Sequence, residues 1–293
     1  MSRRLRHHLS RRGARLAAVG IGLAAAALGP LGGCASVGAD IEDSFGGLFP
    51  PSPTQAVLWT TDTDPDLRRR GVLLLGNAVF GGEEPYVRLY RDYAANERNP
   101  LVKAAAIRAL ARHGEVADAR LIAAQLADAS RQVRWEAARG LQRLHDPAVV
   151  PDLLDRVRDP DEDVQVRVAA ITALGQYGSD RVFQGLVSAL EAPQLAVNRA
   201  AVDTLAQLTG EDFGIDPQAW LAWYQEARPG GDALAGASEF TYPTYDRPPT
   251  WLEQIAFWNP PVREFPGPPL GLEPGGARET YEDESGPGDA DTD

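Results

Sequence analysis

The chain has 293 residues, 44% of them apolar, enough for one or two domains with sizeable cores. Its formal charge is −12, and because the first 33 residues hold six Arg and no acid, the remainder carries −18. So acidic a body lacks the clustered Lys and Arg that neutralise phosphates, which argues against nucleic acid as a partner, and the single cysteine, Cys34, excludes an intramolecular disulfide and a cysteine-built metal site.

In chain order, Arg3, Arg4, Arg6, Arg11, Arg12 and Arg15 precede the uncharged run LAAVGIGLAAAALGPLGG, Leu16 to Gly33. A basic stretch, an apolar stretch and small residues at its end are the parts of a secretory signal. An uncleaved transmembrane anchor is the other reading, but a run rich in Ala and Gly with Pro30 near its end makes a poor permanent span. Leu31-Gly32-Gly33-Cys34 resembles the lipobox of bacterial lipoproteins, in which the cysteine receives a diacylglyceryl group and becomes the new N-terminus. That resemblance implies a signal peptide over 1–33, lipid attachment at Cys34, and an envelope membrane as one partner, held firmly by two or three acyl chains. Ala35, rather than Asp, follows the cysteine, which by resemblance to the enterobacterial sorting rule favours the outer membrane, facing the periplasm, over the inner. Ser10-Arg11-Arg12 resembles a twin-arginine signal, but Ala14 stands where that motif prefers a bulky apolar residue, so the export route stays open.

Residues 34–61 have no basic side chain and a Gly/Pro-rich middle, which suits a flexible linker, with Ser52-Pro53 positioned to start a short leading helix to Trp59. Beyond it an internal repeat emerges. Segments starting at Asp64, Asn99, Ser130, Asp161 and Gln194 align on Leu67, Val102, Val133, Val166 and Val197, spaced 35, 31, 33 and 31 residues apart. Four residues on stands Gly71, Ala106, Ala137, Ala170 or Ala201, and eight on stands Leu75, Leu110, Leu141, Leu174 or Leu205. These offsets share one side of a helix. Asp64, Asn99, Ser130 and Asp163 stand as N-caps, and Gly114, Gly178, Gly210 and His145-Asp146-Pro147 as stops.

Second helical runs follow at Pro85–Asn96, Asp118–Asp128, Ala148–Arg158, Asp180–Glu191 and Pro217–Arg228. Leu126, Val157, Leu190 and Leu221 each fall sixteen residues after the recurrent leucine, so each unit reads as a helical hairpin. A lone hairpin cannot bury its apolar stripe, whereas five in a stack bury a continuous core. Val166-Arg167-Val168-Ala169-Ala170-Ile171-Thr172-Ala173-Leu174-Gly175 resembles the HEAT family, most closely its phycobilisome-lyase-like short form. The resemblance covers residues 62–228 and implies an all-α superhelix, an α-solenoid of about five hairpins, with a protein partner on its surface. Copy one departs in Leu67 and Gly71, and copy five has Asn198 where the others carry Arg or Lys.

Arg68, Lys103, Arg134 and Arg167 share one repeat position. They read either as an anion site or, by resemblance to HEAT proteins, as braces to acids of the neighbouring repeat such as Asp159, Asp161 or Asp163; the brace is the expectation. His113 and His145 end first helices, and without a third ligand nearby they read as helix-terminal cations rather than as a metal pair. Asp159-Pro160-Asp161-Glu162-Asp163 lacks the glycine and terminal glutamate spacing of a calcium loop and reads as a capped inter-repeat turn. No nucleophile elbow, phosphate loop or zinc helix is present, so no catalytic, cofactor or metal residue is assigned and the chain reads as a binder rather than an enzyme.

Residues 229–293 carry three Arg against 13 acids. Glu279–Asp293, with seven acids and no base, reads as a disordered tail. Between 229 and 278 lies a Pro- and aromatic-rich extended segment including Phe240–Tyr245 and Trp251–Trp258, expected to fold back beside Trp220, Trp223 and Tyr224. Its other reading is a short motif that docks a partner. The function expected is that of a membrane-anchored scaffold for protein–protein interaction, with an enzyme or chromophore-binding lyase-like protein, or a structural envelope spacer, as the alternatives.

Overall fold

The structure, a computed structural model, describes residues 52–227, 233–234, 240–243 and 265–272. Cys34 and its signal, Trp251–Trp258 and the acidic end lie outside them. In chain order the described helices are α1 (Pro53–Thr60), α2 (Pro65–Asn77), α3 (Glu84–Asn96), α4 (Pro100–His113), α5 (Ala119–Ala124), α6 (Arg131–Gly140), α7 (Val150–Arg158), α8 (Val164–Leu174), α9 (Asp180–Ala189), α10 (Leu195–Thr209) and α11 (Pro217–Ala227). The even-numbered helices α2 to α10 are the first helices of five hairpins and α3 to α11 the second, so the fold is the all-α solenoid the repeat predicts.

Helix starts follow local chemistry. Asp64 accepts from the Asp66 amide, Asn99 from those of Leu101 and Val102, and Asp163 from that of Gln165. Each bond satisfies an amide that has no partner within its own helix. Ser130 departs from expectation: its side chain makes no capping bond, although its backbone carbonyl still starts α6. Gly210, left-handed at φ 83, ends α10 as expected. Gly178 does not end a helix, because α8 already closes at Leu174 with Gly175 as its cap. Its small size serves a crossing chain instead, since a Cβ there would lie 2.4 Å from the Leu234 carbonyl oxygen.

Each first helix packs on the next first helix, and each second helix on both the next second helix and the following first one. The recurrent positions form the seam. Val102, Val133, Val166 and Val197 are fully buried, as are Leu110, Leu141, Leu174 and Leu205 and the small residues Ala106, Ala137, Ala170 and Ala201. Copy one differs for a physical reason. Helix α1 packs on α2 as a second helix packs on the first helix that follows it, and a Cβ at Gly71 would meet the Ala56 carbonyl oxygen at 2.7 Å and the Thr60 amide nitrogen at 2.8 Å. Glycine at this repeat position is therefore what lets the leading helix seat.

Second helices are less regular than their periodicity predicts. In copy two the α-helical part is only Ala119–Ala124, flanked by 3-10 turns at Val116–Asp118 and Gln125–Ala127, and α7 is preceded by a 3-10 turn at Pro147–Val149. At the far end an aromatic cluster closes the stack: Tyr224 stacks on Phe183 at 4.2 Å between ring centroids, and Phe213 meets Trp220 edge-on at 4.9 Å. The Trp220 indole donates to the Gly214 carbonyl.

The described residues after α11 turn back along the stack as a strap, seated on copies four to two; Trp251–Trp258, expected beside Trp220, Trp223 and Tyr224, lies outside the described residues. Leu234 lies against Gly178, and buried Phe240 lies against Gly175, both in copy four. Tyr242 stacks under the Arg143 guanidinium in copy three. The Leu270 amide donates to the Arg143 carbonyl and the His145 amide to the Leu270 carbonyl. A Cβ on Gly271 would touch Val116 of copy two. The strap thus crosses the turns within copies four, three and two, opposite to repeat order.

Candidate interaction surface

The repeated cation is a brace, and its partners differ from the acids named from sequence. Arg68 binds Glu97 through two nitrogens at 3.2 and 3.3 Å, Lys103 binds Asp128 at 3.0 Å, and Arg134 clasps Glu162 through two bonds of 2.8 Å. Asp161 is not among them, and Asp159 and Asp163 pair elsewhere, Asp163 with the exposed Arg131. Each cation reaches forward to the turn that opens the next copy. The acid stands four or five residues before that copy's recurrent valine, a spacing present in the sequence. Arg167 continues the series with a neutral partner, Gln194.

The same cations also reach backward. Arg68 donates to the carbonyls of Asp62 and Thr63, and Arg134 to those of Asp128 and Ala129. In copy five, Asn198 keeps only this backward role, donating to the carbonyls of Ala189, Leu190 and Ala192. The departure from Arg or Lys marks the last copy, where no further turn waits for a charge. A second row runs along the second helices, Arg91 to Asp118 at 2.7 Å and Arg120 to Asp146 at 3.2 Å.

Charge state follows from this geometry. Burial alone would raise the Glu97 and Asp128 pKa values, but backbone amides and the facing Arg68 or Lys103 outweigh it, so both carboxyls sit below their ordinary range. A depressed folded pKa contributes stability that is fully present above the unfolded value of about 4 and lost as pH falls through the folded one. We expect urea midpoints to be flat from neutrality to about pH 5 and to drop below about pH 4. A Glu97→Gln/Asp128→Asn variant should be less stable at neutrality and show a shallower acid drop; an undiminished drop would assign it to other carboxyls.

Of the two histidines expected to end first helices, only His113 does; His145 does not, because α6 closes at Gly140, five residues earlier. His113 Nε2 lies 2.8 Å from the Gly76 carbonyl of the preceding copy, and His145 stacks on Tyr177 with centroids 4.8 Å apart. Among the described residues no group of three potential ligands is poised for a metal ion. The acidic turn 159–163 is the capped turn expected, with Asp159 accepting from the Asp161 amide.

In copies two and three the first-helix segments carry four arginines, of which Arg108 is exposed and Arg112 half-buried while Arg139 and Arg143 are buried. Arg108 and Arg139 occupy one repeat position, and Arg112 and Arg143 the position one turn later. Arg139 lies 4.6 Å over the Trp135 ring and pairs with Glu136 at 3.6 Å. Nearby, Arg131, Gln132, Trp135 and Gln165 line a cavity of about 290 Å³. None of these four arginines stands out in the sequence, because arginine fills each of the two repeat positions in only two of the five copies.

The sequence model described as HEAT repeats matches residues 119–206, the centre of this stack. Residues 119–206 are similar to HEAT repeats. No curated protein matches the chain in sequence. Among solved structures, YibA of Escherichia coli is 21% identical with a TM-score of 0.47, covering 53% of this chain, which in turn spans 59% of YibA. The complex of CpcE and CpcF of phycocyanin lyase from Nostoc is 20% identical with a TM-score of 0.48, covering 63% of this chain and 73% of that one. Among the described residues no helix is long and apolar enough to cross a membrane.

Proposed function

We propose that this chain is a bacterial envelope lipoprotein, tethered through lipid on Cys34, whose HEAT stack holds a protein partner rather than catalysing a reaction. The observation that carries the binding role is the forward brace. Three successive ion pairs fix neighbouring hairpins in register, so the outward residues of the first helices form a preorganised surface. That surface leaves Leu101 and Leu195 about half exposed, which suits contact with another chain. Support for the tether is the lipobox resemblance of Leu31-Gly32-Gly33-Cys34, and Ala35 favours the outer membrane.

Metabolic labelling with an alkyne fatty acid tests the tether. The full chain should incorporate label and sediment with membranes, and Cys34→Ser should abolish labelling and release the protein from the membrane fraction. Labelling that survives Cys34→Ser would refute the anchor without touching the stack.

A further inference from the structure

We propose that the cavity at the starts of α6 and α8 takes a proline-rich segment of the partner in the polyproline II conformation, an inference that rests on the first-helix face being the partner surface. Arg131, Gln132 and Trp135 come from the start of α6 and Gln165 from that of α8, and together they line a space of about 290 Å³. Arg139 lies 4.6 Å over the Trp135 ring, so the ring is held in place before any ligand arrives. The charged residue of the lining, Arg131, pairs with Asp163 at 3.3 Å, which leaves little net charge to attract an ion. What the cavity offers instead is an aromatic ring beside hydrogen-bond donors. Among the described residues, the Trp135 indole N–H and the side-chain amides of Gln132 and Gln165 have no hydrogen-bond partner. A proline-rich segment complements that set, because its rings are apolar and its carbonyls, with no proline N–H to pair with, need donors from outside.

Spacing selects the same ligand. Gln132 and Gln165 each stand one residue before the recurrent valine, as does Leu101 in copy two, where it is about half exposed. Trp135 and the half-buried Val168 each stand two residues after it. These rows run across the helices from copy to copy, and first helices that pack directly lie about 8–10 Å apart. Polyproline II has three residues per turn and rises about 3.1 Å per residue, so one turn advances about 9 Å and residues i and i+3 reach equivalent positions in successive copies. A β-strand covers a similar distance in three residues, but its alternation turns residue i+3 to the opposite side. A ligand crossing α4, α6 and α8 therefore sets one ring on Trp135, with apolar contacts one turn away at Leu101 and Val168, while the glutamine amides take the carbonyls between them.

Calorimetric titration of the full chain with decaproline tests the assignment, with a Gly-Ser peptide of equal length as the control. Decaproline should bind and the control should not. Trp135→Ala should weaken decaproline binding about tenfold or more, the loss expected of an aromatic anchor. Gln165 is exposed at the second position of α8, so Gln165→Ala should leave the fold unchanged and weaken binding about threefold or more through a lost hydrogen bond. A peptide with proline at every third position should keep most of the affinity, and one with proline at every second position should bind more weakly. Failure of decaproline to bind, equal affinity for the wild type and both variants, or equal binding of the Gly-Ser peptide would overturn the proposal. If a protein still crosslinks in cells to probes at 101 and 195 when decaproline fails to bind, the scaffold stands and its partner docks by another kind of segment.

Discussion

Replacing Leu174 with Ala should remove about 2–5 kcal/mol of stability, the range for emptying a buried leucine site. Leu174 is fully buried in the seam between α6, α8 and α10, and the next residue, Gly175, lies directly against Phe240 of the strap. Few small substitutions touch stack and strap together. A solenoid couples each copy only to its neighbours, so the damage should be regional. Hydrogen exchange should quicken across copies four and five and at Phe240, while α2 and α4 keep most of their protection. Leu75→Ala, at the other end, should show the mirror pattern. If either substitution melts the whole chain as one unit, the copies are coupled more globally than their packing order implies.

Glu162→Ala should be the most damaging change among the charged residues, at about 2–3 kcal/mol, below the 3–5 of a fully buried pair because Arg134 keeps some water. The carboxylate is 1% exposed and accepts two bonds of 2.8 Å from Arg134, one of 3.4 Å from Arg156 and one from the Asp163 amide. Without it two guanidiniums lose their counter-charge, and the turn between copies three and four loses its brace. Arg134→Met in the same chain should recover part of the loss, since an apolar replacement removes the unpaired charge. Arg131→Ala breaks a neighbouring pair, with Asp163, that is largely in water, and should cost less than about 1 kcal/mol. Urea denaturation followed by circular dichroism measures all three. Equal effects for Glu162→Ala and Arg131→Ala would mean that burial does not govern this ladder.

The first-helix seam was legible because leucine recurs at one offset in all five copies and valine at another in four, so Val102, Val133, Val166 and Val197 announced both period and buried side. Gly71 was legible as an exception but not as a reason, since nothing local says that α1 crosses there. The cation row was legible too, while its partners were not: turn lengths vary, and Glu97, Asp128 and Glu162 share a spacing only when counted back from the next copy. The seat of the strap's described end was not legible because the bonds that hold it, Leu270 to Arg143 and His145 to Leu270, run between backbone groups and leave no side-chain signature. Of its aromatic residues, Phe240 sits against Gly175 and Tyr242 against Arg143, while Trp220 and Tyr224 meet Phe213 and Phe183. The burial of Arg139 and Arg143 was not legible, since their repeat positions hold other residue types in copies one, four and five.

The binding role is tested most directly by photo-crosslinking in living cells, with a crosslinking amino acid placed at 101, 131 or 195 on the first-helix row, or at 88 or 184 on the second. Leu101, Arg131 and Leu195 occupy near-equivalent exposed sites at the starts of α4, α6 and α10. Adducts from the first-helix sites should converge on one protein of the membrane fraction and disappear with Cys34→Ser, while the second-helix sites stay silent or find a different neighbour. A chain that yields no adduct from any of the five positions, at full expression and with its lipid in place, would contradict a scaffold and leave the stack as a spacer.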